Sequence, residues 1–256
     1  MKQPMKICIW CRKDETQESF DKKAHTIPQS LGGKNICENV CDKCNHYFGS
    51  PQPNLPSSEL VLKEMLNISK YYLLKTANSI PKNKRYKSEY FNINWNTFHI
   101  KIKPRYSLKD GFQKKLGRQF RKAMFKVFLE ERERQRNDAL ADRFNFIREF
   151  ARYDLGNYPI YIHIPKFKVI LGSLPDIENP QIRFTDHSDE MDKEFRIYGY
   201  QLLGHNFLIP TSPFFDELCR DDFLKYLVKD NHPFGTTIKR IDYAENIDYT
   251  FRYIAD

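Results

Sequence analysis

Four cysteines stand in two pairs whose spacing suits a metal ion. Cys8 and Cys11 form one C-x2-C pair, and Cys41 and Cys44 form a second after a 29-residue insert. Each pair is a knuckle that can place two thiolates on one tetrahedral Zn2+. Four thiolates close such a site to water and substrate, so the zinc staples the fold and any chemistry must come from the insert. Cys37 falls in the same cluster, which reads as metal ligation sooner than as a disulfide framework, because cytosolic thiols stay reduced. Cys219 lies apart and reads as a small buried hydrophobe.

The insert carries His25 and Pro28, then Leu31, Gly32 and Gly33, then Asn35 and Asn39, while Asn45, His46, Phe48 and Gly49 follow the last cysteine. In order and spacing this segment, about residues 6–50, resembles the HNH endonucleases of the His-Me finger superfamily. The closest likeness is to the branch whose zinc knuckles bracket a His-x-x-Pro…Leu-Gly-Gly stretch and end in Cys-Asn…Phe-Gly. The resemblance implies a ββα-metal finger in which His25, on the first strand, deprotonates a water that attacks the scissile phosphate. It implies that Asn39 holds the imidazole, and that Asn45, opening the helix, ligates a catalytic Mg2+ or Mn2+, with another divalent ion left open. The chemistry is coherent: phosphodiester cleavage needs an activated nucleophile, neutralised charge and a stabilised leaving alkoxide. An imidazole, with an unperturbed pKa of about 6.5, suits the first task and a hard cation the other two.

One position departs from the pattern. The family usually has Asp or Glu immediately before the catalytic histidine as a second ligand, and here Ala24 stands there. The ion is then expected to hang weakly on Asn45 and waters, with His46, Asp42 or Asp21 as further ligands. Ala24 keeps a second reading open, a noncatalytic zinc-ribbon module that binds nucleic acid or protein. An RNase with the same site is a third, since nothing excludes a sugar 2′-OH. Asn35 rivals Asn39, Asn45 could serve only as a helix cap, and Gly32 and Gly33 suit a loop needing positive φ.

The elements that must position these residues follow. Three prolines within 50–58 break regular structure, dividing the chain into a finger over 1–50 and a larger α+β domain over 58–256 with strands and helices segregated. A fifty-residue unit buries too little apolar surface to fold without a staple. Leu62, Met65, Leu66 and Leu73 predict a core helix over 58–76, capped by Ser57 or Ser58. Alternation of Phe91, Ile93, Trp95, then Phe98, Ile100, Ile102, predicts a strand or hairpin over 90–103. A long amphipathic helix starts near Ser107 and runs through a charged stretch at 130–136, and a second passes through Phe144, Ile147 and Phe150. Strands are expected over 158–171 and as a pair around Gly204, with a short helix over 214–228.

On the long helix, near 108–136, Lys114, Lys115, Arg118, Arg121, Lys122 and Lys126 fall away from the apolar stripe and are expected to form a cationic ridge for a phosphate backbone. Arg132, Arg134 and Arg136 alternate with Glu and are expected to pair within the run. His163, His187, His205 and His232 show no metal spacing. The chain carries a net charge of +9, which favours a polyanion, DNA first with RNA left open. No stretch is apolar enough for a membrane span and residues 1–10 lack a secretory h-region, so a cytoplasmic protein is expected. A homodimer or an activating partner is left open, and a restriction or phage-defence role is suggested only by the family likeness.

Overall fold

The computed structural model describes residues 5–77, 86–94, 96–97, 99–165, 174–229 and 236–247. At the N-terminus the first knuckle turns through Arg12, whose φ of 60° lets its N–H reach the Cys8 carbonyl at 2.8 Å. Strand β1 (Ala24–His25) pairs antiparallel with β2 (Ile36–Cys37), setting Ala24 opposite Cys37 and His25 opposite Ile36. A single 3-10 turn at Gln29–Leu31 joins them and ends on Gly32 at φ 93°. Gly33 is required by space, because a Cβ there would lie 1.9 Å from the Ile27 carbonyl oxygen. Helix α1 (Asp42–Gly49) begins directly after Cys41, so the second knuckle and the helix start are one feature. The N-terminal unit is therefore ββα, inside a mixed helix and sheet chain.

Helix α2 (Ser58–Thr76) starts where Ser57 accepts the Leu60 N–H on its hydroxyl. Strands β3 (Phe91–Asn94) and β4 (His99–Ile102) form the expected hairpin; Trp95 and Phe98 lie outside the described residues. Helix α3 (Asp110–Arg136) is 27 residues, about 40 Å at 1.5 Å per residue. Helix α4 (Asn145–Tyr153) packs beside it through Phe146 and Phe150, which meet Phe125 edge-on. Then come β5 (Tyr161–Pro165), α5 (Leu174–Glu178), α6 (Asp186–Phe195), β6 (Ile197–Leu202), β7 (His205–Pro210), α7 (Glu217–Lys229) and β8 (Thr236–Arg240). The strands form an antiparallel sheet in the order β6-β7-β5-β8. The expected turn at Gly204 joins β6 to β7 with φ 80°. Of the strand expected over 158–171, residues 166–171 lie outside the described residues, as does His232.

Helix α3 is the axis on which the rest is assembled. From Phe120 to Glu133 every residue is buried, charged ones included. One continuous apolar cluster runs from Cys8, Trp10 and Phe48 in the finger through Phe120, Met124 and Phe128 to Tyr198 and Phe207 in the sheet. Cys219 is half-buried, packed against a smaller cluster around Phe215 and Phe223.

Candidate active site and zinc centre

The sulfurs of Cys8, Cys11, Cys41 and Cys44 lie within 4.8 Å of one another, and Cys11 Sγ is 3.7 Å from Cys41 Sγ. A tetrahedral centre with Zn–S bonds of about 2.3 Å needs sulfurs about 3.8 Å apart, so the four thiols are gathered to within about 1 Å of the spacing zinc requires. The Cys41 N–H points at Cys8 Sγ (3.4 Å) and Arg152 Nε donates to Cys44 Sγ (3.3 Å), donors suited to thiolates. The thiol of Cys44, bonding to Cys8 Sγ, draws Cys8 down to about 5, whereas burial pushes Cys41 up to about 12 and the bond to Cys8 pushes Cys44 up as well. One negative charge is tolerated in this pocket, and a dication is what lets four thiols ionise together. Cys37 is not in the cluster: its side chain is buried in the core, which raises its thiol far above the usual range.

Thirteen residues into the insert, His25 ends β1 with its ring half-buried. Its Nε2 lies 2.7 Å from the amide of Gln29, and Nδ1 is buried without a hydrogen bond of good geometry. Burial lowers the ring's pKa below 6.5; the Gly33 carbonyl opposes this and the Lys126 cation adds to it. The imidazole is therefore neutral at pH 7, the form a general base needs. Asn45, in the first turn of α1, directs Nδ2 toward the Lys23 carbonyl at 3.5 Å, which ties the helix to the strand two residues before His25 and turns Oδ1 elsewhere. Ala24 is fully buried in the core, where a carboxylate would be desolvated.

Asn39 departs from its expected place. Its Nδ2 donates to Glu133 at 2.6 Å and its carbonyl accepts the Ile9 N–H at 2.9 Å, while Gln29 has the position beside the ring. Asn35 and Thr26 both donate to Glu131, at 3.1 and 2.5 Å, and the Trp10 indole donates to Glu130 at 3.1 Å. Lys126 closes the set: its Nζ bonds the His25 carbonyl at 2.7 Å, Glu130 at 2.8 Å and Glu59 at 3.1 Å. Arg148 adds a bond to the Ile9 carbonyl at 2.7 Å. The finger is thus fastened to α3 by side chains at 126, 130, 131 and 133, and burial holds Glu130 up at about 7. Sequence reasoning missed Gln29 and these carboxylates. Glu130 and Glu133, at i+4 and i+7 from Lys126, share its helix face, and that spacing was the available signal; Glu131, at i+5, lies off it.

These features converge with a direct comparison: residues 8–54 match the family model of HNH endonucleases. The match covers the N-terminal HNH domain, 47 of the chain's 256 residues. Comparison with curated proteins and with solved structures returned no match.

Around the HNH domain the expected cationic ridge does not form. Lys126 is spent as described, Lys122 is buried against Asp154 at 2.6 Å, and Arg121 is buried, donating to the Tyr158 carbonyl at 2.9 Å. Arg118 is held by Asp154 at 2.8 Å and Lys114 by Asp110 at 3.0 Å; Lys114 and Lys115 are exposed. The reason is that α3 is covered on all sides over most of its length, so its cations must find partners within the protein. Of the charged run, Arg134 pairs within it, with Glu131 at 2.8 Å, whereas Arg132 reaches Asp138 and Asp189, and Arg136 reaches Asp189. Lys115, Arg118 and Lys122, with Asp154 and residues 53–55, line a cleft of about 350 Å³. Among the other proposed ligands, His46 is exposed against Ser50, and Asp42 accepts from Ser19 and the Lys22 N–H. Asp21 is exposed, and no helix among the described residues is long and apolar enough to cross a membrane.

Proposed function

We propose that the protein is a metal-dependent endonuclease that hydrolyses phosphodiester bonds in DNA. What supports this reading most is the neutral, half-buried imidazole of His25, with Gln29 on Nε2 and Lys126 on its carbonyl, near an Asn45 whose Oδ1 has no hydrogen bond among the described residues. His25 takes the proton from the attacking water. Gln29 rests on Nε2, so that nitrogen takes the proton once the water has displaced the Gln29 amide; Lys126 holds the strand's backbone meanwhile, and Asn39 supports the strand pair indirectly through Glu133. A divalent cation, Mg2+ or Mn2+, supplies charge neutralisation at the phosphate and stabilises the leaving oxygen when bound. Zinc is structural, consistent with its four thiolates. Of the six ridge cations, Lys114 and Lys115 are exposed and Arg118 is half-buried, and these are the ones left to meet a phosphate backbone. A cytoplasmic setting and a restriction or phage-defence role belong to the same proposal, the first supported by a four-cysteine cluster suited to zinc and the second by the family likeness.

The test is plasmid cleavage with Mg2+, Mn2+ or EDTA beside His25→Ala. Metal-dependent nicking or linearisation that the variant loses is the expected result. Equal cleavage by both proteins would refute the role of His25. The buried Ala24 favours a second reading, a noncatalytic binding module, which predicts DNA or RNA retention in a gel-shift assay with no cleavage of either.

A further inference from the structure

The HNH motif is short of one acid at residue 24, and that side chain is turned into the core, so no ligand can be restored there without burying a charge. A carboxylate reaches the same corner from elsewhere. Glu59 stands in the first turn of α2, beyond the segment that matches the family. Its Oε2 lies 3.4 Å from the point a Cβ on Gly49 would occupy. Gly49 is one turn after Asn45 on α1, so the two positions share a helix face and sit about 5–6 Å apart. Its Oε1 accepts from Lys126 Nζ at 3.1 Å, and the same nitrogen bonds the His25 carbonyl at 2.7 Å. Glu59 therefore bridges the face that carries Asn45 and the strand end that carries His25.

We infer that Glu59 supplies the carboxylate that residue 24 lacks, forming with Asn45 Oδ1 a site for a hard divalent cation beside His25. The inference rests on the nuclease reading above. Lys126 has a second carboxylate, Glu130, buried against it at 2.8 Å, so Glu59 is not its only partner among the described residues. What Lys126 does for Glu59 is fix one oxygen, leaving the other directed over the exposed Gly49. The Glu59 side chain retains 24% exposure, so a cation and its waters can reach it from solvent. An oxygen pair of one carboxylate and one amide carbonyl, completed by water, suits Mg2+ or Mn2+. The charge of Glu59 is also felt at the His25 ring, as expected for a group at the same corner.

The experiment measures Mn2+ binding to the full-length, zinc-loaded protein by the EPR signal of free Mn2+, in wild type, Glu59→Gln, Glu59→Asp, Asn45→Ala and His25→Ala. Zinc content and urea midpoint are checked for each variant. Glu59→Gln is expected to weaken Mn2+ by about tenfold or more with zinc retained, Glu59→Asp to keep part of the affinity, and His25→Ala to bind as wild type. Unchanged Mn2+ affinity in Glu59→Gln, with a lowered urea midpoint, would overturn the inference and leave Glu59 as a partner for Lys126. If wild type then still cleaves DNA with Mn2+, the nuclease reading survives that failure. If wild type neither binds Mn2+ nor cleaves, the nuclease reading fails and takes this inference with it.

Discussion

Replacing Lys126 by Met tests the fastening of the HNH domain to α3 directly. Met keeps most of the stem's volume and removes a nitrogen that is bonded to the His25 carbonyl, Glu130 and Glu59 in a place with 1% exposure. Glu130, itself fully buried, is left with the Trp10 indole alone. Breaking a buried pair by deleting one partner costs about 3–5 kcal/mol, and the lost bond to His25 adds about 1 kcal/mol. Against a total stability of about 5–15 kcal/mol this is a large fraction. With a urea m-value of about 3–4 kcal/mol/M, at or above the top of the small-protein range as suits a chain this long, the midpoint at pH 8 should fall by about 1–2 M, read by tryptophan fluorescence and circular dichroism. The cost should shrink at pH 6, because burial holds Glu130 at about 7 even with Lys126 present, and a protonated Glu130 needs no counterion. The double variant Lys126→Met/Glu130→Leu should recover much of the loss, since an apolar replacement of both partners leaves no buried charge. A single variant within about 1 kcal/mol of wild type, or a double variant as damaged as the two singles added, would refute this account of the interface.

Other outcomes follow from the same geometry. His25→Ala should lower cleavage by about 10²–10⁴-fold while zinc content and urea midpoint hold, and the wild-type kcat/KM should fall on an acid limb below pH 6.5, because desolvation lowers the ring's pKa and protonation removes the base. Cys41→Ser should release zinc, measured by a chromogenic chelator, and melt the finger together with any activity. In wild type, Glu130 is raised from 4.5 to about 7 by burial, so its contribution to stability is full below about 4.5 and is lost as pH rises through 7; Glu130→Gln should flatten that slope in urea titrations at successive pH values. Gly33→Ala should destabilise the finger, since its Cβ would meet the Ile27 carbonyl at 1.9 Å, whereas Gly111→Ala, helical with nothing within 4 Å, should be neutral or stabilising.

The knuckles and the helix over 58–76 were legible because each is written locally, as a thiol spacing and as a serine cap before an apolar stripe, while the ββα order came from the family likeness. Of the two glycines expected at positive φ, Gly32 has it and Gly33 is there for want of space. The hairpin at β3–β4 and the turn at Gly204 were likewise legible from local sequence. The burial of α3 was not. A run such as 130–136 states which groups want partners, and the partners here are Thr26, Asn35 and Asn39, about a hundred residues earlier in the chain. Charge alone made Arg121, Lys122 and Lys126 look like a surface; only the fold shows that Tyr158, Asp154 and Glu130 enclose them. Asn39 illustrates the same limit. Its amide donates to a carboxylate on α3, and no spacing rule reveals that Glu133 is within reach.

The row of carboxylates on α3 also determines what can be cut from this protein. A fragment ending in the proline-rich link at 50–58 would take Trp10, Thr26, Asn35 and Asn39 away from Glu130, Glu131 and Glu133, and would strip Phe48 of the helix it lies against. Its zinc could still bind, yet the strand bearing His25 would lose the ammonium that pins its carbonyl. Metal loading and competence for chemistry would then come apart, the first a property of the finger and the second of the whole chain.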